Sequence, residues 1–246
     1  MLSQASSVSP RLLRVTLGGD ELHGYEPGAP AASVRLLLPR PGESSLVLPT
    51  WNGNEFLHSD GLRPTIRTYT PRRFDVDRRE IDLDVVLHAG GAVPTWLESA
   101  ELGVEVGIAG PGRGYEIDAS ATAFVLLGDE TAIPAISQLL EHLPRSADVT
   151  AHIEVVHADA RHELPAHPGA TIHWLQRPSS SPTGSTLVAA AEAVALDDNT
   201  RIWAAGEAAA MQRTRRILFE ERKLPRAQAV VRGYWKIGRG GDATED

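Results

Sequence analysis

Arg67-Thr68-Tyr69-Thr70-Pro71-Arg72 is the stretch from which the fold of this 246-residue chain is read. It closes a β-prone run over residues 64–70. In an extended strand, residues two apart share a face. Arg67 and Tyr69 therefore project together, with Thr70 at the strand end on the other side. One face offers a planar fork of N–H donors suited to phosphate, beside a flat ring that can stack on another flat ring. A flavin dinucleotide needs both. Arg and Tyr also pair across solvated sheet faces, so the stretch takes its meaning from its surroundings.

On either side lie short runs rich in Val, Ile, Leu and Thr, over residues 12–17, 33–38, 81–87 and 104–108, separated by Gly and Pro clusters. Ile81-Asp82-Leu83-Asp84-Val85 alternates, which predicts one buried face and one wet face. Several short strands with turns between them predict a small barrel or sandwich. Near residue 118 the character changes. Residues 121–127 form an apolar run broken only by Thr122, as expected of a strand buried on both faces. Ile133, Ile136, Leu140 and Leu143 then follow at helical spacing. Further strands are expected over 149–156, 170–175, 200–205 and 227–234. Helices are expected from about 185 and over 207–222. The fold class is thus β + α/β: an N-terminal antiparallel β-barrel over 1–118, then a doubly wound parallel-sheet domain over 119–246. Residues 238–246 are expected to fray.

Three turns carry candidate chemistry. His88-Ala89-Gly90-Gly91-Ala92-Val93-Pro94-Thr95-Trp96 follows a predicted strand. Its glycines let backbone approach a ligand, and a helix starting near Thr95 would aim N–H groups at an anion. Alone it reads as a plain glycine-rich loop; beside Arg67 and Tyr69 the phosphate cradle is the better reading. Gly128-Asp129-Glu130-Thr131 ends the first strand of the α/β domain, where open sheets bind ligands, and Asp129 or Thr131 can cap the next helix. Trp203-Ala204-Ala205-Gly206-Glu207 is a second such turn. It allows either close approach of a ring or tight helix–sheet packing. His162-Glu163-Leu164-Pro165-Ala166-His167 imitates a metalloprotease signature, but its histidines are five apart and Pro165 interrupts the helix that motif needs. It is read as a loop. Gly110-Pro111-Gly112-Arg113-Gly114 is read as the inter-domain turn.

Cysteine is absent, which excludes disulfides, cysteine-held iron–sulfur clusters and thiol catalysis. No metal-ligand set is expected. The net charge of −8 comes without a basic stripe, so nucleic acid is not an expected partner. Arginines cluster locally at Arg72-Arg73 and at Arg213-Thr214-Arg215-Arg216. Solvated faces are the plain reading of these clusters, and anion binding is the sharper one. No apolar run is long enough to cross a bilayer and no signal peptide is evident, so a cytoplasmic location without membrane insertion is expected. A monomer is also expected.

In their order and spacing these pieces resemble the siderophore-interacting protein family, a branch of the ferredoxin–NADP reductase superfamily. The resemblance runs from Ser9-Pro10-Arg11-Leu12-Leu13-Arg14-Val15 through the Arg67, His88, Gly128 and Trp203 segments to Gly233-Tyr234-Trp235. It implies an FAD-binding barrel, an NAD(P)H-type domain and reduction of ferric siderophores with release of Fe(II). By position, Arg67 would hold the FAD pyrophosphate, with Thr68 beside it. Tyr69 would stack on the isoalloxazine, and Thr70 would bond near its N5. His88, Gly90, Gly91, Ala92, Val93, Thr95 and Trp96 would form the loop that binds ribityl and phosphates through backbone N–H groups. Asp129 and Thr131 would face the nucleotide crevice. Gly206 and Glu207 would lie near the nicotinamide, and Trp235 near the flavin edge. The flavin itself carries the chemistry, so no residue is assigned as catalytic. Arg35, Arg113 and Lys236 match a basic triad for acidic ferric siderophores, expected to converge at the domain cleft. In the second βα turn, Asp159 suits a ribose hydroxyl, whereas Arg161 and Arg177 suit a phosphate. The donor is thus read as NAD(P)H with a lean to NADPH, and a ferredoxin is a third candidate. The alternatives are a general NAD(P)H–flavin reductase and a non-catalytic siderophore carrier.

Overall fold

The short branched-chain runs of the first part of the chain become antiparallel strands. In the computed structural model, which describes residues 1–40, 42–43, 45–88 and 91–238, these are β1 (Leu2–Ser9), β2 (Leu12–Gly18), β3 (Val34–Leu37), β4 (Thr50–Trp51), β5 (Phe56–Leu57), β6 (Ile66–Tyr69), β7 (Pro71–Asp75), β8 (Glu80–Val86) and β9 (Gly107–Ala109). One helix, α1 (Ala92–Leu97), precedes β9. Gly90 of the glycine loop and the tail residues 239–246 lie outside the described residues. The strands form sheets ordered β1-β2-β8-β7 and β6-β3-β9, plus the hairpin β4-β5. Val15, Leu36, Ile81 and Leu83 are fully buried in a shared core.

The alternation in β8 is real, but its second face is not wet. Asp84 is buried. Arg14, across the ladder on β2, grips it with two hydrogen bonds, Nε to Oδ1 at 2.7 Å and Nη2 to Oδ2 at 2.8 Å. Asp82 accepts from Thr16 Oγ1 at 2.7 Å. A charged residue can alternate with apolar ones and still be buried when the neighbouring strand supplies its partner.

The second part is a five-stranded sheet of β10 (Ala123–Asp129), β11 (Asp148–Val155), β12 (Ala170–Gln176), β13 (Thr200–Glu207) and β14 (Ala229–Trp235), in the order β12-β11-β10-β13-β14. All four pairings are parallel. The helices are α2 (Ile133–His142), α3 (Ser185–Ala193) and α4 (Ala208–Arg216). Central β10 explains its own composition. Phe124 and Leu126 enter one core with Ile136 and Leu139 of α2. Val125 and Leu127 enter another with Leu187 of α3 and Met211 of α4. A strand covered on both faces has no position left for a polar residue.

Two elements depart from expectation. No α-helix joins β11 to β12; a 3-10 turn, Ala158–Ala160, and irregular chain do so. The single helix expected over 207–222 ends at Arg216 and continues as a π turn, Ile217–Glu221, in which Ile217 and Leu218 are both buried.

Contacts divide the chain into two compact units. Among the described residues, one comprises Met1–Gly28 and Ala32–Arg113; the other takes Ala29–Ala31 and residues 114–238. The three-residue piece belongs to the second unit through Ala31, whose N–H donates to Gln138 Oε1 at 2.7 Å.

Candidate functional site

The β3–β6 ladder orients the Arg67 segment. Val34 faces Tyr69 across it, Leu36 faces Arg67, and Arg35 faces Thr68. Val34 and Leu36 are core residues, and residues opposite one another in a ladder share a face. Arg67 and Tyr69 therefore do project together, on the side toward the core, while Thr68 and Arg35 point the other way. Arg35 accordingly does not share a face with the Arg67–Tyr69 pair. Burial pushes the Tyr69 phenol well above its ordinary range, and the positive charge of Arg67 opposes this. Part of the Arg67 fork is held by its own strand, with Nη1 donating to Ile66 O at 2.7 Å. Thr70 is buried at the joint between β6 and β7.

The glycine turn differs in one respect from expectation. Its helix begins at Ala92, with Gly91 as N-cap, not near Thr95. Thr95 lies within the helix and donates its N–H to Gly91 O at 2.9 Å. Pro94 does not delay the start, because a proline in the first turn removes only an N–H that has no partner there. Val93 is buried, and Trp96 packs against the same core. Those side chains hold the helix down, leaving backbone to face a ligand. No side chain caps α1. A Cβ on Gly91 would sit 2.8 Å from Nε2 of the exposed His88 ring, so glycine is needed for that ring to lie over the turn. A ring, an arginine fork and an uncapped turn fit the chemistry of a flavin dinucleotide.

The second unit gathers its predicted residues around one carboxylate. Asp129 ends β10 and is buried. Its Oδ1 accepts from Thr131 N at 2.9 Å and Thr131 Oγ1 at 2.5 Å. Its Oδ2 accepts from Glu207 N at 3.0 Å and from the Trp235 indole Nε1 at 2.8 Å. Burial pushes the Asp129 carboxyl up, and these bonds oppose it. Gly206 must be glycine here: a Cβ would fall 2.7 Å from Asp129 Oδ2. Glu207, also buried, caps α4 by accepting from Ala209 N at 2.8 Å and Ala210 N at 3.0 Å. These residues lie at the carboxyl ends of β10 and β13, where the sheet order reverses and open α/β sheets bind ligands.

Sequence reasoning missed two further carboxylates at the same edge. Glu154, near the end of β11, accepts from Gly184 N at 2.7 Å, Thr186 N at 3.1 Å and Thr186 Oγ1 at 2.6 Å, at the start of α3. Glu130 accepts from Val156 N at 2.8 Å. The available signal was an acidic residue at the end of an otherwise apolar strand, as in Asp129 and Glu207. Of the donor-reading candidates, Asp159 and Arg161 are exposed. Arg177 is mostly covered; its Nε lies 3.5 Å from Glu154 and its Nη1 donates to Ser181 O at 2.6 Å. Arg113 and Lys236 are exposed, in the first and second units respectively. His162 and His167 stand in the irregular chain after β11, each against backbone carbonyls.

An antiparallel β unit with an Arg-x-Tyr-Thr strand and an uncapped glycine turn, followed by a parallel α/β unit, defines a flavin reductase-type fold. The family profile described as Siderophore-interacting FAD-binding domain matches residues 1–115, and that described as Siderophore-interacting protein matches residues 121–238. The chain belongs to the siderophore-interacting protein family. It is 29% identical over 240 residues to the ferric vibriobactin reductase ViuB of Vibrio cholerae, covering 96% of this chain and 88% of that one. It is 28% identical to the NADPH-dependent ferric-chelate reductase of Escherichia coli, covering 93% and 88%. The crystal structure of a siderophore utilization protein from T. fusca matches with a TM-score of 0.84 at 37% identity, covering 97% of this chain and 92% of that one.

Proposed function

We propose that this chain is an FAD-dependent reductase of ferric siderophores. The observation that carries the reading is the shared face of Arg67 and Tyr69 on β6, in a chain whose first 115 residues match a siderophore-interacting FAD-binding domain. Relatives named as ferric vibriobactin reductase and NADPH-dependent ferric-chelate reductase support it.

Hard oxygen ligands hold Fe(III) far more tightly than Fe(II), so one added electron loosens the metal. Bound FAD would supply the conversion of a two-electron donor to single electrons. The protein's part is to hold and orient. Arg67 meets the pyrophosphate, Tyr69 covers the ring system, Thr70 bonds its edge, and the turn from His88 to Trp96 offers backbone N–H groups. Asp129, Thr131, Gly206, Glu207 and Trp235 shape the donor's end. Arg35, Arg113 and Lys236 attract an anionic chelate, an effect that exposed charges exert within roughly 10 Å at 0.1 M salt.

NADPH is the proposed donor, in line with the E. coli relative's name. A reduced ferredoxin is the second reading, and the internally capped strand ends of the second unit favour it. We place the protein in the cytoplasm as a monomer; among the described residues no helix is long and apolar enough to cross a membrane. The test is the visible spectrum of FAD-loaded protein under anaerobic NADPH, NADH or reduced ferredoxin, followed by a ferric chelate with an Fe(II) trap. Bleaching by NADPH and trapped Fe(II) are expected. Bleaching without Fe(II) would mean a general flavin reductase, and no bleaching by any donor would mean a carrier.

A further inference from the structure

Residues 213–226 hold six cations, Arg213, Arg215, Arg216, Arg222, Lys223 and Arg226, against Glu220 and Glu221, in a chain whose net charge is −8. Four of these guanidiniums, those of Arg213, Arg215, Arg216 and Arg226, line a groove of about 460 Å³ with Phe219, Gln212 and the opposing carboxylate Glu220. Favourable interaction with the C-terminal end of α4 accounts for a cation or two in its last turn. It does not account for Arg226, which comes from a separate turn ahead of β14 and lies 5.0 Å over the Phe219 ring, in the same groove.

The forks are held to different degrees. Arg215 donates through Nε and Nη2 to Val231 O. Arg216 Nε meets Glu221 at 3.1 Å, with both partners more than half exposed. Arg213 Nη2 lies 3.9 Å from Glu192, a loose pair with both partners more than half exposed. The Arg215 contact fixes its guanidinium yet leaves it further N–H donors, so less side-chain freedom is lost there when a ligand binds. The helix runs into the groove through a π turn, a distortion frequent at functional sites. The volume falls in the range of small-molecule pockets.

We propose that this groove binds a small phosphorylated anion of the pyrophosphate or nucleotide class. Guanidinium forks match phosphate oxygens in pairs, and arginines from two separate elements suit two linked phosphates better than one small anion. The groove runs along α4 from Ala209, beside the Glu207 cap, to Glu220, and none of the strand-end carboxylates lines it.

The test is titration calorimetry of FAD-loaded protein with sodium pyrophosphate and with ATP in about 150 mM NaCl, where exposed charges are screened beyond roughly 8 Å, with sodium sulfate as comparison. Saturable binding in the groove is expected, weakened about tenfold or more in Arg226→Ala and in Arg213→Ala and unchanged in Arg145→Ala, an exposed arginine after α2. Arg226→Lys, which keeps charge but not the fork, should fall between. Circular dichroism of each variant verifies folding. Three results would overturn the proposal: no saturable heat, pyrophosphate bound no better than sulfate, or affinity unchanged in both groove variants.

Discussion

No side chain caps α1 where Gly91 precedes it, whereas the chain entering α2, α3 and α4 meets buried carboxylates of Asp129, Glu154 and Glu207. The first N–H groups of a helix lack partners within it and carry partial positive charge. In the first unit no side chain of the described residues meets that positive end. In the second it is neutralised from inside, and the carboxylates that do so stand where a dinucleotide's phosphates would approach. The difference teaches how one chain can treat its helix entries unlike each other: one that no side chain of the described residues caps, and others whose backbone is already satisfied by buried carboxylates.

The largest effect should come from removing the seal. Asp129→Ala leaves Thr131, Glu207 and Trp235 donors without their acceptor, and buried unpaired groups cost about 1–3 kcal/mol each before relaxation. The second unit should lose about 2–4 kcal/mol in urea unfolding. A loss below about 1 kcal/mol would mean that the carboxylate's burial nearly cancels its bonds, and the contrast between the units would lose its energetic basis. Next comes the ligand side of the comparison. Arg67→Ala should weaken FAD binding by about 1.5–3 kcal/mol, the usual worth of a hydrogen bond to a charged group, as read by flavin fluorescence. Full occupancy at unchanged affinity would remove Arg67 from the cofactor.

Glu207→Gln separates the cap from its charge. One glutamate oxygen accepts both amides, and a glutamine carbonyl can do the same. Stability should move by no more than about 0.5 kcal/mol. Without the negative charge at this helix end, worth about 0.3–1 kcal/mol, the KM for NADPH should fall about 2–5-fold. An unchanged KM would mean that the donor does not approach this edge.

The contrast was only half legible in the sequence. Arg67, Tyr69 and the glycine turn announced themselves, because a two-residue period and a pair of glycines are local signals. The start of α1 was placed near Thr95, whereas the helix begins at Ala92 because Pro94 is tolerated inside the first turn. Asp129 could be read as a cap, but its bond to Trp235 spans 106 positions and no local pattern encodes it. Glu154 went unnoticed for the same reason: Gly184 and Thr186, its partners, follow a different strand. In the sheets, β8 and β10 were read from apolar pattern. β1 (Leu2–Ser9) was not, because Ser3, Ser6 and Ser7 face solvent and only its end residues, Leu2 and Ser9, are buried. Edge strands bury too little for a pattern to form.

The smallest expected effect tests whether the two units differ also in their response to acid. On the edge of the second unit's sheet, His152 of β11 and His173 of β12 stack with ring centroids 4.9 Å apart and planes 17° from parallel. Burial, and then the charge of His173, hold His152 below its ordinary value near 6.5. A histidine so depressed is favoured in its neutral form by folding. Its contribution is therefore fully present above the unfolded value and is lost as pH falls through the folded one. Between pH 7 and 5.5 the second unit's melting temperature should drop, on the order of 1–2 °C from this group. His152→Gln has nothing to titrate at that position and should show a smaller drop. The gap between the two proteins would then change with pH, the wild type losing stability relative to the variant as pH falls. Parallel melting curves across the range would show that the pair is too well solvated to matter, and acid sensitivity of the second unit would have to lie elsewhere.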